Sequence, residues 1–195
     1  MFNGIVKSIG IVADVKKMKG GIECTITTPL KRAWTDGESV LISGVCSTII
    51  KKRKNALTFF FMEETLVKTH FRTLQKGDQV NIEPSLTYGE PMSGHLVSGH
   101  VDGIVVIKKI SDEGKMRRFS FTTPRALTRY IVEKGSVALE GISLTVVDAK
   151  GAMISCAAIP YTLSHTTLGQ KEVNDQLNIE VDMMAKYIEK MLKKS

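Results

Sequence analysis

The chain repeats itself. Gly44-Val45-Cys46-Ser47-Thr48-Ile49-Ile50 matches Gly141-Ile142-Ser143-Leu144-Thr145-Val146-Val147 at an offset of 97 in a chain of 195 residues. Thr65-Leu66 matches Thr162-Leu163, and Gln79-Val80-Asn81-Ile82-Glu83 matches Gln176-Leu177-Asn178-Ile179-Glu180, both at that same offset of 97. Upstream, Thr27-Thr28-Pro29 matches Thr122-Thr123-Pro124 at 95, and Asn3-Gly4-Ile5-Val6 matches Asp102-Gly103-Ile104-Val105 at 99. Five blocks in one order and at nearly one spacing imply two copies of a single domain, with small insertions in loops. Tyr88-Gly89-Glu90-Pro91-Met92-Ser93-Gly94 supplies the turn and linker residues expected between them. The reading is a first domain over 1–90, a second over 91–182 and a tail over 183–195.

Each copy reads as strands. Val40 to Ile42, Cys46 to Ile50, Leu57 to Met62 and Val80 to Glu83 are short β-branched or aromatic runs separated by Gly, Asn, Asp and Lys. Ser136 to Leu139, Leu144 to Val147, Met153 to Ile159 and Leu177 to Val181 repeat the pattern. Five or six strands in roughly 90 residues predict a small closed barrel, because closure removes edges that would pair with other chains. Short helices are expected at Arg32 to Trp34, at Arg125 to Val132 and after Thr65 and Thr162. In the tail, Met184, Tyr187, Ile188, Met191 and Leu192 fall on one face of a helix, with Lys186, Glu189, Lys190 and Lys193 on the other. A helix this short must dock on something. The tail has no counterpart in the other copy, so self-association is favoured over packing on its own barrel.

Lys and Arg outnumber Asp and Glu 27 to 20, which invites a nucleic-acid reading. Position argues against it: residues 1–97 carry +4 and residues 98–195 carry +3. The only dense run, Lys51-Lys52-Arg53-Lys54, reads as a solvated hairpin turn before Asn55. Aromatic residues make up 6%, too few for a base-stacking platform. There is no leader-like N-terminus and no run long enough to span a membrane, so a cytoplasmic protein is expected. Cys24, Cys46 and Cys156 are odd in number and widely spaced, which supports neither a disulfide framework nor a thiolate metal site.

Four histidines could carry chemistry: His70, His95, His100 and His165. His95 and His100 lie in Gly94-His95-Leu96-Val97-Ser98-Gly99-His100-Val101-Asp102-Gly103. On a strand, a spacing of five sends the rings to opposite faces, which disfavours joint metal ligation and leaves acid–base or hydrogen-bonding roles. The stretch lacks the Lys-Ser/Thr of a phosphate-cradling loop and the strand–turn–helix setting of a dinucleotide site. Cys46 and Ser143 hold the same place in the two copies, each two residues before a Thr, so Cys46 with Thr48 and Ser143 with Thr145 share a face. Either pair alone is unremarkable; together they point to a duplicated ligand pocket.

Met1-Phe2-Asn3-Gly4-Ile5-Val6, Gly94 to Gly103, Gly141-Ile142-Ser143-Leu144-Thr145-Val146, Thr162-Leu163-Ser164-His165-Thr166-Thr167-Leu168-Gly169 and Asn178-Ile179-Glu180-Val181-Asp182 closely resemble the riboflavin synthase family. The likeness covers essentially the whole chain. It implies an all-β fold of two tandem six-stranded Greek-key barrels, a C-terminal amphipathic helix that holds a homotrimer together, and no metal or organic cofactor. It implies a dismutation in which two molecules of 6,7-dimethyl-8-ribityllumazine give riboflavin and 5-amino-6-ribitylaminouracil. The active site would form between the N-terminal barrel of one subunit and the C-terminal barrel of another, and lumazine synthase would be a further partner.

Carried residue by residue, the resemblance assigns the first pocket to Ser39, Cys46, Thr48, Met62, Glu64 and Thr65, with Phe2 and His100 near the reacting rings. The second takes Ser136, Ser143, Thr145, Ile159, Pro160, Tyr161, Thr162 and Asp182. Gly4, Ile5 and Val6, Gly99 and Val101, and Gly103, Ile104 and Val105 complete the expected binding set. His100, Cys46, Ser39, Phe2 and Asp182 are the expected catalytic group, with His100 first in line to assist proton removal. The chain departs from the family pattern at Ser47, at His70-Phe71-Arg72, at Glu140 and at Asn174. A non-catalytic flavin- or lumazine-binding relative of the antenna type would have lost one working pocket. Both polar pairs and both His95 and His100 remain here, which favours catalysis.

Overall fold

The computed structural model describes residues 1–193, so Lys194 and Ser195, the end of the expected tail, lie outside the described residues. In the first copy, alternating apolar residues pair as β1 (Ser8–Met18), β2 (Gly21–Thr27), β3 (Ser39–Ile42), β4 (Val45–Arg53), β5 (Ala56–Met62) and β6 (Gln79–Pro84), with helix α1 (Glu63–Lys68) after β5. The second copy has β7 (Gly103–Glu113), β8 (Met116–Thr122), β9 (Ser136–Leu139), β10 (Ile142–Lys150), β11 (Met153–Ala158), α2 (Pro160–His165) and β12 (Gln176–Val181). Each set closes into an antiparallel barrel, β1-β2-β5-β4-β3-β6 and β7-β8-β11-β10-β9-β12. The β3–β4–β5 meander with β2 returning beside β5 is a Greek key. The bulges repeat as well, at Val12/Asp14 and Ile107/Lys109, and at Ile49/Lys51 and Val146/Asp148. Helix α3 (Met183–Leu192) follows β12, capped by the Asp182 carboxylate, which accepts from Met184 N.

Three expectations change. Arg32 to Trp34 forms no helix; Arg32 instead stacks on the Trp34 ring at 4.5 Å. The β2–β3 loop is two residues shorter than the β8–β9 loop, and of the two only the longer carries a 3-10 turn, at Arg125–Tyr130. The run 94–102 is not a strand, so the two-face geometry expected for His95 and His100 does not apply there. The basic run does end in the Lys54-Asn55 hairpin turn between β4 and β5.

The third change concerns the N-terminal block. Strand β1 corresponds to β7 at an offset of 95, so Asn3-Gly4-Ile5-Val6 corresponds to Ser98-Gly99-His100-Val101, not to 102–105. Hydrogen bonds confirm the alignment: Asn3 N donates to Glu83 Oε1 at 2.8 Å, as Ser98 N donates to Glu180 Oε1 at 2.8 Å. The match at 99 reflects two β-prone Gly-Ile-Val runs of different structural place.

These two arms cross. The arm ahead of β1 lies on the second barrel, where Ser143 N donates to Gly4 O at 2.8 Å. The arm ahead of β7 lies on the first barrel, where Cys46 N donates to Gly99 O at 2.9 Å. Where they meet, Phe2 and Val97 exchange backbone hydrogen bonds of 2.9 and 3.0 Å. Gly44 and Gly141 also touch: a Cβ on Gly141 would sit 2.8 Å from Gly44 N, and both glycines have positive φ. Equivalent residues meeting one another mark a local two-fold axis. The junction is apolar at Phe2, Leu41, Val97 and Ala138. It is polar at Asn81, whose amide donates to Glu140 O and accepts from Thr167 N, and at Asn178, which donates to Ser43 O and accepts from His70 N. Every one of these bonds spans the two barrels, so their buried amides are satisfied only when the barrels are docked.

Candidate functional site

The site residues follow from the β3–β4 hairpin and its copy. Along β4, Val45, Ser47 and Ile49 turn inward, so Cys46 and Thr48 face out, with Ser39 paired across from Thr48. Along β10, Ile142, Leu144 and Val146 turn inward, so Ser143 and Thr145 face out, with Ser136 paired across from Thr145. Antiparallel pairing then brings the end of the next strand alongside. Ile49 opposes Phe59, which carries Met62 and the start of α1, with Glu64 and Thr65, towards the Cys46 end. Val146 opposes Cys156, which carries Ile159, Pro160, Tyr161 and Thr162 towards the Ser143 end.

The crossed arms complete each cluster. Gly99 presses on Cys46 so closely that a Cβ there would lie 2.5 Å from Cys46 Cβ. Gly4 presses on Ser143 in the same way, at 2.6 Å from Ser143 Cβ. Only glycine fits at either place, and each has positive φ. Gly99 therefore joins the cluster of Ser39, Cys46 and Thr48, and Gly4 that of Ser136, Ser143 and Thr145; further along the arms, Val101 packs on the first core and Val6 on the second.

Buried glutamates anchor the arms. Glu180 accepts from Ser98 N, Ser98 Oγ and Gly99 N with both oxygens. Glu83 accepts from Asn3 N, while its Oε2 has no protein partner among the described residues. Burial pushes the Glu83 carboxyl up to about 7, against the lowering pull of backbone donors at Asn3, Gly4 and Ile5. His100 is exposed and shares a cleft with Ser98 of its own arm and with Met183, Lys186, Tyr187 and Lys190 of α3. Asp182 and Ser136 line a neighbouring groove under α3 of about 510 Å³, with Tyr130 and Ile188.

Several expected site residues are elsewhere. Phe2 is 0% exposed in the barrel junction, where its ring packs among Leu41, Val97 and Ala138. Val105 is 0% exposed in the second core. Gly103 and Ile104 pair along β12 with Ile179 and Asn178. Gly99, His100 and Val101, not Gly103, Ile104 and Val105, hold the position corresponding to Gly4, Ile5 and Val6.

Two partnerships are not legible in the sequence alone. His95 reaches Ser143, with Nδ1 2.7 Å from Ser143 Oγ. Glu83 and Glu180 hold the arms, and their signal was present: an Asn and a Glu at alternate positions in both copies of one strand, facing one way. Two of the departures also meet, because His70 Nε2 lies 2.9 Å from Glu140 Oε1 across the junction.

Two barrels that exchange their leading arms, each with a small polar cluster under a glycine, define a duplicated small-molecule-binding protein. The family model of the lumazine binding domain matches twice, at residues 3–85 and 98–182. Those bounds pair residue 3 with 98, as the arms do. The riboflavin synthase of Brucella abortus is 39% identical over 193 residues, covering 96% of each chain. That of Actinobacillus pleuropneumoniae is 35% identical, covering all of this chain and 91% of its own. The chain belongs to the riboflavin synthase family and is an enzyme. Among solved structures, LumP complexed with riboflavin superposes with a TM-score of 0.85 at 24% identity, over 93% of this chain and 99% of its own, a likeness of fold.

Proposed function

We propose that the chain is a riboflavin synthase that converts two molecules of 6,7-dimethyl-8-ribityllumazine into riboflavin and 5-amino-6-ribitylaminouracil. A four-carbon unit passes from one molecule to the other, so the atoms of two substrates equal those of the two products. The observation that carries this reading is the matched pair of outward clusters around Cys46 and Ser143. A reaction between two copies of one molecule needs two copies of one pocket. Thr48, Ser39 and Glu64 in one cluster, and Thr145, Ser136 and Asp182 in the other, supply donors and acceptors for ribityl hydroxyls and the heterocycle edge. Met62, Ile159 and Tyr161 supply apolar cover.

The chemical step begins with loss of a proton from the methyl group at C7, whose carbanion is delocalised into the electron-poor ring. His100 assists that transfer, and Cys46, Ser39 and Asp182 act on the adduct. Holding two reactants in register replaces an encounter in solution, with effective molarities that reach roughly 10⁵ M in favourable cases. The two clusters belong to different barrels, so a homotrimer that sets the first barrel of one subunit against the second barrel of its neighbour brings the reactants together. The exposed Met184, Tyr187, Ile188, Met191 and Leu192 of α3 give that assembly an apolar surface. Among the described residues no helix is long and apolar enough to cross a membrane, and we place the enzyme in the cytoplasm, with lumazine synthase as a further partner.

Purified protein given 6,7-dimethyl-8-ribityllumazine alone should develop riboflavin fluorescence with two substrates consumed per product. His100→Gln and Cys46→Ser should each lower kcat by roughly tenfold or more, the range of a lost acid–base or positioning group. Tight binding without turnover would make the chain an antenna-type carrier instead.

A further inference from the structure

The Cys46 and Ser143 clusters match in backbone and differ in what stands behind them. His95 Nδ1 is 2.7 Å from Ser143 Oγ, and no histidine makes the equivalent bond to Cys46 among the described residues. His95 Nε2 is buried and has no protein partner among the described residues. A buried N–H without an acceptor is rarer, and costs more, than a bare ring nitrogen. The hydrogen of a neutral His95 therefore belongs on Nδ1, where it has an acceptor. Burial lowers the His95 pKa despite Glu180 and Asp182 nearby, in keeping with a neutral ring. The backbones of Gly94 and Gly4 pack around Ser143, where a Cβ on either would lie within 3.0 Å of Ser143 Cβ.

We propose that His95 is a positioning residue for the second-barrel site: its Nδ1–H donates to Ser143 Oγ, so that the Ser143 hydroxyl hydrogen points away and donates to an acceptor atom of the bound heterocycle. A serine whose oxygen already accepts a bond is a stronger and more directional donor. The second pocket thus demands a ligand acceptor, a carbonyl oxygen or a ring nitrogen, opposite Ser143. The first pocket presents the weak thiol donor of Cys46 and makes no such demand. The two copies of one pocket are thereby made unequal, as a reaction with a donor and an acceptor molecule requires. The inference deepens the proposed function and rests on its ligand class.

The full chain and four variants, His95→Ala, His95→Asn, His95→Gln and Ser143→Ala, test it with His95→Ala/Ser143→Ala as the double. Turnover of 6,7-dimethyl-8-ribityllumazine is followed together with its binding. His95→Ala and Ser143→Ala should each lower kcat/KM by roughly three- to tenfold, the size of one lost hydrogen bond, and the double should be no worse than Ser143→Ala. His95→Asn, whose amide N–H reaches the place of Nδ1, should keep activity within about twofold, whereas His95→Gln should resemble His95→Ala. A His95→Ala penalty that persists undiminished beside Ser143→Ala would overturn the proposal, as would a folded His95→Ala with unchanged binding and turnover. A chain that binds without turnover sinks the enzymatic reading alone, and the same cycle is then read on affinity. Imidazole ¹⁵N shifts need no ligand: a protonated Nδ1 and bare Nε2 support the assignment, and the opposite tautomer contradicts it.

Discussion

The two barrels share a backbone and divide their side chains differently. In the first, β2 carries Cys24 and β5 carries Phe59, opposite each other. In the second the pair is exchanged: β8 carries Phe119 and β11 carries Cys156, again opposite. All four are fully buried. Burial pushes both thiols up to about 12, so they serve as small apolar filling and not as reactive groups. A core position is thus free to change as long as its cross-strand neighbour makes up the volume. The arms, the hairpin glycines, and the Asn and Glu of β6 and β12 have no such freedom. The arms and the asparagines bond buried groups of the other barrel, the glutamates anchor the arms that cross to it, and Gly44 and Gly141 let the two barrels touch.

That difference can be broken directly. Phe59→Cys alone leaves a cavity beside Cys24 and should cost about 4 kcal/mol in urea denaturation, and Cys24→Phe alone should overpack the core by about 2 kcal/mol. The double exchange Cys24→Phe/Phe59→Cys copies the second barrel and should return to within about 1.5 kcal/mol of the parent. A double variant as unstable as the sum of the singles would show that the barrels' cores are not interchangeable.

The junction offers a second contrast. On one side His70 meets Glu140; on the other, the equivalents are Thr167 and Ser43, and Thr167 Oγ1 has no protein partner among the described residues. His70→Ala leaves the Glu140 carboxylate buried and should cost roughly 3 kcal/mol, while Thr167→Ala should cost less than about 1 kcal/mol. The pair also sets a pH window. Burial works against the charge on His70, but Glu140 overrides it and raises the pKa above the ordinary 6.5. Burial likewise works against the Glu140 charge, and His70 overrides it, holding the carboxyl below the ordinary 4.5. The histidine contribution is complete below 6.5 and fades as pH rises through the raised value; the glutamate contribution is complete above 4.5 and fades as pH falls through the lowered one. Docking should be firmest in mildly acidic solution, and this part of the pH dependence should vanish in His70→Asn/Glu140→Gln. A double variant with the parent's unfolding profile from acid to neutral pH would remove the pair from the account.

The repeat made the two barrels legible, because Gly44 to Ile50 and Gly141 to Val147 carry both the hairpin turn and the polar pair on its outer face. The same reading missed the crossing of the arms. Gly-Ile-Val at 4–6 and 103–105 are identical in letters, while Gly99-His100-Val101, the structural counterpart, shares fewer. Sequence likeness followed β-propensity there, whereas structure followed the hydrogen bonds from Gly99 to Cys46 and from Gly4 to Ser143. The resemblance puts Phe2 near the reacting rings, and nothing local in the sequence distinguishes a buried junction ring from one over a substrate. The meeting of His70 with Glu140 was equally hidden, since their contact depends on how whole barrels dock.

Each barrel, completed by the other's arm, is expected to hold its own ligand. Calorimetric titration of the intact protein with a ribityllumazine bearing oxygen in place of the methyl at position 7 tests it without turnover. Two ligands should bind per chain, falling to one when Gly99→Val drives a side chain into Cys46. A single ligand per chain in the parent protein would contradict it.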